Sequence, residues 1–107
     1  MPTRWLVHNA LSGRIPSELG NCTELKTLLL HNNTLTGPIP PVVLPNLNLL
    51  TLHKNELTGE VPWHGLVSNF TELISLADNI LSGTVPAFPA SLKKIVLHNN
   101  QFHGSLP

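Results

Sequence analysis

Three histidines occupy one repeated position in this sequence, and their side chains are the best suited to chemistry. His31, His53 and His98 each lie two residues before an asparagine, and Ala77 holds that position in the fourth copy of the pattern. Imidazoles on adjacent strands would lie about 5 Å apart and could bind a metal or change charge at mildly acidic pH. Because no third metal ligand is evident, the sequence predicts no metal site and no cofactor. Two interpretations are left, ordinary surface histidines and a pH-responsive pair.

Catalytic chemistry finds no support elsewhere in the chain. The six acidic residues are scattered, no nucleophile motif or phosphate-binding glycine loop is present, and the single cysteine, Cys22, is expected to be a packed thiol. Six basic residues balance the acidic ones without clustering, which argues against nucleic-acid binding and against membrane contact by this segment. We therefore predict a non-catalytic protein. With no signal-peptide pattern at its start, the chain as given would stay in the cytosol.

The elements that must position these residues are tandem repeats. One pattern recurs five times, with its asparagines 24, 22, 24 and 21 residues apart, and glycines and prolines keep step with them. The whole chain, 1–107, is thus one repeat segment. Its copies end near Pro16, Pro40, Pro62, Pro86 and Pro107.

Each copy begins with an alternating apolar stretch such as Leu28-x-Leu30, which predicts a short strand. Stacked in parallel, five such strands share one interior. The asparagine that follows carries an acceptor and two donors, so it can bond backbone groups of two turns. The sequence therefore predicts a structural ladder formed by Asn9, Asn33, Asn55, Asn79 and Asn100. Replacing Asn55 is expected to cost far more stability than replacing the outward-facing Thr51.

The unit LxxLxLxxNxLxGxIP resembles the plant-specific class of leucine-rich repeat. The second copy matches throughout, at Pro16, Leu19, Cys22, Leu25, Leu28, Leu30, Asn33, Leu35, Gly37, Ile39 and Pro40. The resemblance covers residues 5 to 107 and implies an α/β repeat solenoid. It would be a right-handed arc with a parallel concave β-sheet, a second strand in each LxGxIP portion and an irregular or short-helical convex side.

Two features depart from this pattern. After Pro62, Leu66, Phe70 and Leu73 fall at helical spacing, which predicts a helical turn in a shifted register over residues 66 to 73. Neither terminus carries the cysteine-paired cap that is usual in the family, so we expect an uncapped piece of a longer array.

The resemblance also implies that a ligand binds the outward face of the concave sheet. The expected contact residues are Leu29, His31, Thr51, His53, Ser75, Val96 and His98, and Trp5, Val7 and Ala77 are placed on the same face. Partners would be a protein, peptide or glycan ligand, with a co-receptor as a further candidate. Protonation of His31 and His53 should strengthen binding of an acidic partner as the pH falls through roughly 6.5. A solvated sheet face with nothing bound is the competing interpretation.

Sequons at Asn21, Asn32 and Asn69 would accept N-linked glycans if a parent protein is secreted. Their density favours an extracellular or cell-surface parent. Three hypotheses follow: the ligand-recognition part of a receptor-like protein, a secreted inhibitor or wall-associated binding protein, and a structural spacer. In many receptors of this family a kinase domain is attached elsewhere in the chain.

Overall fold

The described part of the chain contains ten short strands. The computed structural model describes residues 12–103 and, as backbone only, residues 4–6. In chain order the strands are Arg4–Leu6 (β1), Ser12–Gly13 (β2), Thr27–Leu29 (β3), Thr34–Pro38 (β4), Leu49–Thr51 (β5), Glu56–Glu60 (β6), Leu73–Ser75 (β7), Ile80–Thr84 (β8), Lys94–Val96 (β9) and Gln101–His103 (β10). A 3₁₀ turn over Ser17–Asn21 and one α-helical turn over Trp63–Leu66 (α1) complete the described elements.

The strands form two parallel sheets, one on each side of a shared interior. The first sheet has the order β1-β3-β5-β7-β9, and the second has the order β10-β8-β6-β4-β2. Each repeat therefore adds one strand to each sheet, beside the strands of the previous repeat. This parallel-sheet solenoid with little helix confirms the predicted architecture, including the second strand of the LxGxIP portion.

Leucines at equivalent positions of successive repeats fill the interior. Within the first sheet, Leu28, Leu50 and Ile74 are register partners, and all three are buried. Beyond each strand, the buried Leu30, Leu52 and Leu76 continue the stack. Each stacked pair buries apolar surface that one short strand could not bury alone, so stability comes mainly from contacts between neighbouring repeats.

A helical turn follows Pro62, as predicted, but the predicted range of residues 66 to 73 and the shifted register are wrong. The helical turn ends at Leu66, and strand β7 begins at Leu73. Thr71 is fully buried and occupies the inward position, while Phe70 is exposed. The Thr71 hydroxyl accepts a hydrogen bond from the Ser68 amide at 3.0 Å and donates one to the Leu47 carbonyl at 2.8 Å. Because these bonds satisfy the buried hydroxyl, threonine can occupy an inward position that leucine holds in the preceding repeats. The inward positions of this segment therefore match those of the other repeats.

The segments that follow Pro40 and Pro86 contain no helix. No helix in the described part of the chain is long and apolar enough to cross a bilayer.

Candidate binding face of the first sheet

The predicted contact residues lie on the solvent face of the first sheet. In the parallel register Leu29 pairs with Thr51, Thr51 with Ser75, and Ser75 with Val96. Alternate strand residues point to opposite faces, so these four share the face that turns away from the buried leucines. Beyond the strand ends the backbone ladder continues, because Leu30 N–H donates to the Thr51 carbonyl at 2.9 Å and Asn32 N–H donates to the His53 carbonyl at 3.0 Å.

In the first repeat, the register differs by one residue from the prediction. Leu6 pairs with Leu29, and Trp5 pairs with Leu28. In the backbone register Leu6, rather than Trp5, is therefore aligned with Leu29 of the next repeat. Val7 lies outside the described residues.

Two imidazoles and two hydroxyls form a connected row across three repeats. His31 Nδ1 lies 2.7 Å from Thr51 Oγ1, and His53 Nδ1 lies 3.0 Å from Ser75 Oγ. The rings of His31 and His53 stack with centroids 4.6 Å apart and planes 8° apart. We call these four residues the histidine–hydroxyl row. Each imidazole is held by the strand of the following repeat and by the neighbouring ring.

Two of the predicted contact residues are poorly accessible. Thr51 is 8% exposed and Ser75 is 9% exposed, because each lies beside an imidazole of the preceding repeat. Thr51 therefore lies on the outward face of the sheet but is shielded there by His31. Its hydroxyl has a protein partner, and the surface available to a ligand consists of the histidine rings and half-buried Leu29.

Ring geometry is unsuited to a metal shared by the two histidines. Metal-binding lone pairs lie in the plane of each imidazole, and nearly parallel stacked planes do not direct them at one ion. Among the described residues, no group of three or more histidine, cysteine or acidic side chains could hold a metal.

The environment of His53 disfavours its charged form. Burial lowers the pKa of His53 from its usual 6.5, the nearby His31 and Lys54 lower it further, and Asp78 opposes them. This environment therefore favours the uncharged His53 ring at neutral pH. Its titration lies below the value of roughly 6.5 expected for the pair from the sequence.

The histidine–hydroxyl row ends in the fourth repeat. Ala77 takes the histidine position there and is buried, and half-buried Val96 takes the hydroxyl position of the next repeat. His98 is exposed and lines a separate cavity of about 330 Å³ with Phe102 and other residues of the last repeat. The structure therefore brings His31 and His53 together and leaves His98 apart.

Asparagines fix the turns beneath this face. Asn55 Oδ1 accepts from the Leu35 amide at 3.0 Å, and its Nδ2 donates to the carbonyls of Leu30 and Leu52, each at 3.0 Å. Asn79 and Asn100 repeat this arrangement one and two repeats later. Each therefore ties its own turn to the preceding repeat. Asn33 donates to the Leu30 and His31 carbonyls, and Asn9 lies outside the described residues.

The sequon asparagines Asn21, Asn32 and Asn69 are all exposed. Asn32 adopts a positive φ of 59°, as Lys54, Asp78 and Asn99 do at equivalent positions. Cys22 is a free, partly buried thiol that packs against the interior.

The pairing of each histidine with a hydroxyl was missed from the sequence. The sequence does contain a signal for this pairing. In the repeat after each histidine, the outward position of the strand is a hydroxyl residue: Thr51 follows His31, and Ser75 follows His53. Ala77 and Val96 replace both partners at once, which is the pattern expected of a contacting pair.

Known proteins resemble this chain in both sequence and structure. A family model described as Leucine Rich Repeat matches residues 24–44. Receptor-like protein kinase 7 of Arabidopsis thaliana is 49% identical over 107 residues, a match that covers 92% of this chain and 11% of that protein. The LRR ectodomain of the receptor kinase SOBIR1 from Arabidopsis thaliana has a TM-score of 0.82 and 28% identity, covering 91% of this chain and 56% of that one. The plant peptide hormone receptor RGFR1, in complex with RGF2, has a TM-score of 0.81 and 36% identity, and the match covers 92% of this chain and 16% of that one.

The likeness extends along nearly the whole chain but over a small part of its longer relatives. The similar part is the repeats themselves, which form two parallel sheets with turns held by asparagine hydrogen bonds. The chain is made of leucine-rich repeats, and they are similar to the repeats in the ectodomains of plant receptor kinases.

Proposed function

We propose that this chain is part of the ligand-binding ectodomain of a plant cell-surface receptor-like protein. In this proposal the solvent face of the first sheet contacts a peptide or protein ligand, and a co-receptor is a further partner. The similarity to a plant peptide hormone receptor in complex with RGF2 supports a peptide as the ligand class. The three exposed sequon asparagines fit an extracellular location, where they would accept glycans.

The observation that carries the proposal is the fixed position of two partly exposed imidazoles. A flexible side chain loses rotamer freedom when a ligand immobilises it, at a cost of about 0.5–1.5 kcal/mol. His31 and His53 are already held by a hydroxyl and by each other. Together with Leu29 they form a preorganised patch with polar ring edges and apolar surface.

Binding measurements on synthetic peptides test this proposal. The chain would be titrated by calorimetry with a panel of synthetic secreted plant peptides that includes RGF2. We expect at least one peptide to bind, and replacement of His31 and His53 together by alanine to weaken it about ten-fold or more. Glu56→Ala, an exposed change on β6 of the second sheet, is the matched control and should leave the affinity unchanged.

Unfolding curves of each variant separate lost contacts from lost structure. Absence of binding across the panel, or equal affinity of a folded double-histidine variant and the parent, would contradict the proposal. The spacer interpretation would then be favoured.

A further inference from the structure

Each imidazole of the histidine–hydroxyl row has one nitrogen engaged and one left over. Nδ1 of His31 and Nδ1 of His53 lie against hydroxyls of the following repeat, which leaves Nε2 of each ring as the atom available to a ligand. The two rings are nearly parallel and are tethered in the same way one repeat apart. Their Nε2 atoms therefore lie on the same side of the stack.

A hydroxyl partner suits both protonation states of an imidazole. It donates its hydrogen to Nδ1 of a ring that is protonated on Nε2, and it accepts from Nδ1–H of an imidazolium. Neither ring therefore needs to break its bond to Thr51 or Ser75 when it takes up a proton. In both cases Nε2–H is a donor that faces the ligand side.

The charged groups near the histidine–hydroxyl row offset the positive charge of an added proton only in part. Next to His53 are the cationic Lys54 and the anionic Asp78, and their effects oppose one another. Asp78 also accepts a hydrogen bond from Asn99 at 2.7 Å. Among residues 12–103 the ion pair found joins Lys93 to Glu72, and neither residue belongs to the row. A protonated pair would therefore gain from an anion supplied from outside.

We propose that Nε2 of His31 and Nε2 of His53 together form a subsite for a carboxylate group of a peptide ligand, which binds along with a proton taken up from solvent. One carboxylate oxygen accepts a hydrogen bond from Nε2–H of His31, and the other accepts one from Nε2–H of His53. The negative charge of the carboxylate offsets the positive charge of the proton that the two histidines take up. Thr51 and Ser75 act as positioning residues. This inference rests on the proposed function for its peptide ligand, but small probes test it separately.

Three blocked tripeptides serve as probes for the intact 107-residue chain. They are acetyl-Gly-Glu-Gly-amide, acetyl-Gly-Gly-Gly with a free carboxyl terminus, and acetyl-Gly-Gln-Gly-amide, which has no carboxylate. Nitrogen-15 NMR of the imidazole rings follows each titration. We expect the carboxylate probes to shift the Nε2 signals of His31 and His53, with binding about five-fold tighter near pH 5.5 than near pH 7.5. The first two probes distinguish a side-chain carboxylate from a terminal one.

Single-residue variants test which side chains cause the pH-dependent carboxylate binding. His31→Gln and His53→Gln should each remove the pH dependence, and Thr51→Val should weaken carboxylate binding by releasing the His31 ring. His64→Gln, an exposed change on α1, should alter neither. The inference is overturned if the glutamine probe binds as well as both carboxylate probes, or if the His64→Gln and His53→Gln variants behave alike. A failed hormone panel with a successful tripeptide titration would count against the proposed function alone.

Discussion

At the scale of single residues, buried polar side chains hold successive repeats together. Asn55 satisfies the Leu35 amide and the Leu30 carbonyl of one repeat while bonding the Leu52 carbonyl of its own. The single hydroxyl of Thr71 likewise bonds the Ser68 amide of its own repeat and the Leu47 carbonyl of the preceding one. No buried side-chain nitrogen or oxygen among the described residues lacks a hydrogen-bond partner. Removal of one partner therefore leaves backbone groups unsatisfied inside the stack.

Asn55→Ala should lower the free energy of unfolding by about 1–3 kcal/mol, because buried backbone donors and acceptors in two turns lose their partner. Denaturant titration measures this loss. Glu56→Ala, at the exposed neighbouring residue, is the control and should change the stability little. Since Thr51 is buried beside His31, Thr51→Val is expected to be destabilising too and cannot serve as that control. Equal losses in the Asn55 and Glu56 variants would contradict the ladder role.

The lowered pKa of His53 predicts a pH-dependent stability. Below its usual value of 6.5 the unfolded chain binds a proton at this residue more readily than the folded chain does. The free energy of unfolding should therefore decrease as the pH falls from about 6.5 towards the folded-state pKa, and this contribution should level off below it. Unfolding curves at several pH values would show a weaker decrease for His53→Gln. His64→Gln should retain the decrease of the parent protein, and an identical profile in both variants would refute the prediction.

At the scale of elements, the convex segments must pass close to one another. The amide of Leu44 donates to the Gly65 carbonyl at 2.8 Å, which joins the segment after β4 to α1. A Cβ atom added at Gly65 would lie 2.0 Å from the Val42 carbonyl oxygen. Glycine is therefore required in α1 by the backbone of the preceding repeat.

Gly65→Ala should force these two segments apart and lower the stability by about 1–3 kcal/mol. Gly20→Ala is the matched control, since its added Cβ would meet only the Val42 side chain, at 3.2 Å. Thermal unfolding of both variants checks the difference. A Gly65→Ala protein as stable as the Gly20→Ala protein would show that the segments yield more easily than the structure implies.

At the scale of the whole molecule, burial is uneven along the stack. Leu50 and Ile74, in the middle strands of the first sheet, are completely or almost completely buried, whereas Ile95 in β9 is half-buried. Strand β9 has one neighbour in the sheet, and β5 and β7 each have two. In a repeat array, stability depends on contacts between neighbouring repeats.

Hydrogen exchange should therefore be slower at the amides of Leu50 and Ile74 than at that of Ile95. Exchange monitored by NMR at neutral pH provides the measurement. Uniform protection across β5, β7 and β9 would indicate that the described repeats open together, and the predicted gradient would be wrong.

The sequence by itself determined the fold of this protein, because its information is local and repeated. Alternating leucines specify short strands with one inward face, and asparagine, glycine and proline mark each turn at a fixed distance from the strand. The same pattern placed Asn33, Asn55, Asn79 and Asn100 at equivalent positions, where the structure has their hydrogen bonds. These features require only that neighbouring copies stack.

Only the tertiary structure decided the site. His31 and Thr51 are 20 residues apart, and His53 and Ser75 are 22 apart, so their contact depends on how the convex segments absorb the difference in length. It also depends on sheet register, which the β1 pairing of Leu6 with Leu29 showed can differ from the repeat count. Burial of Thr51 and Ser75 and the lowered pKa of His53 follow from that packing. Their physical cause is contact across repeats, which residue types within one repeat do not contain.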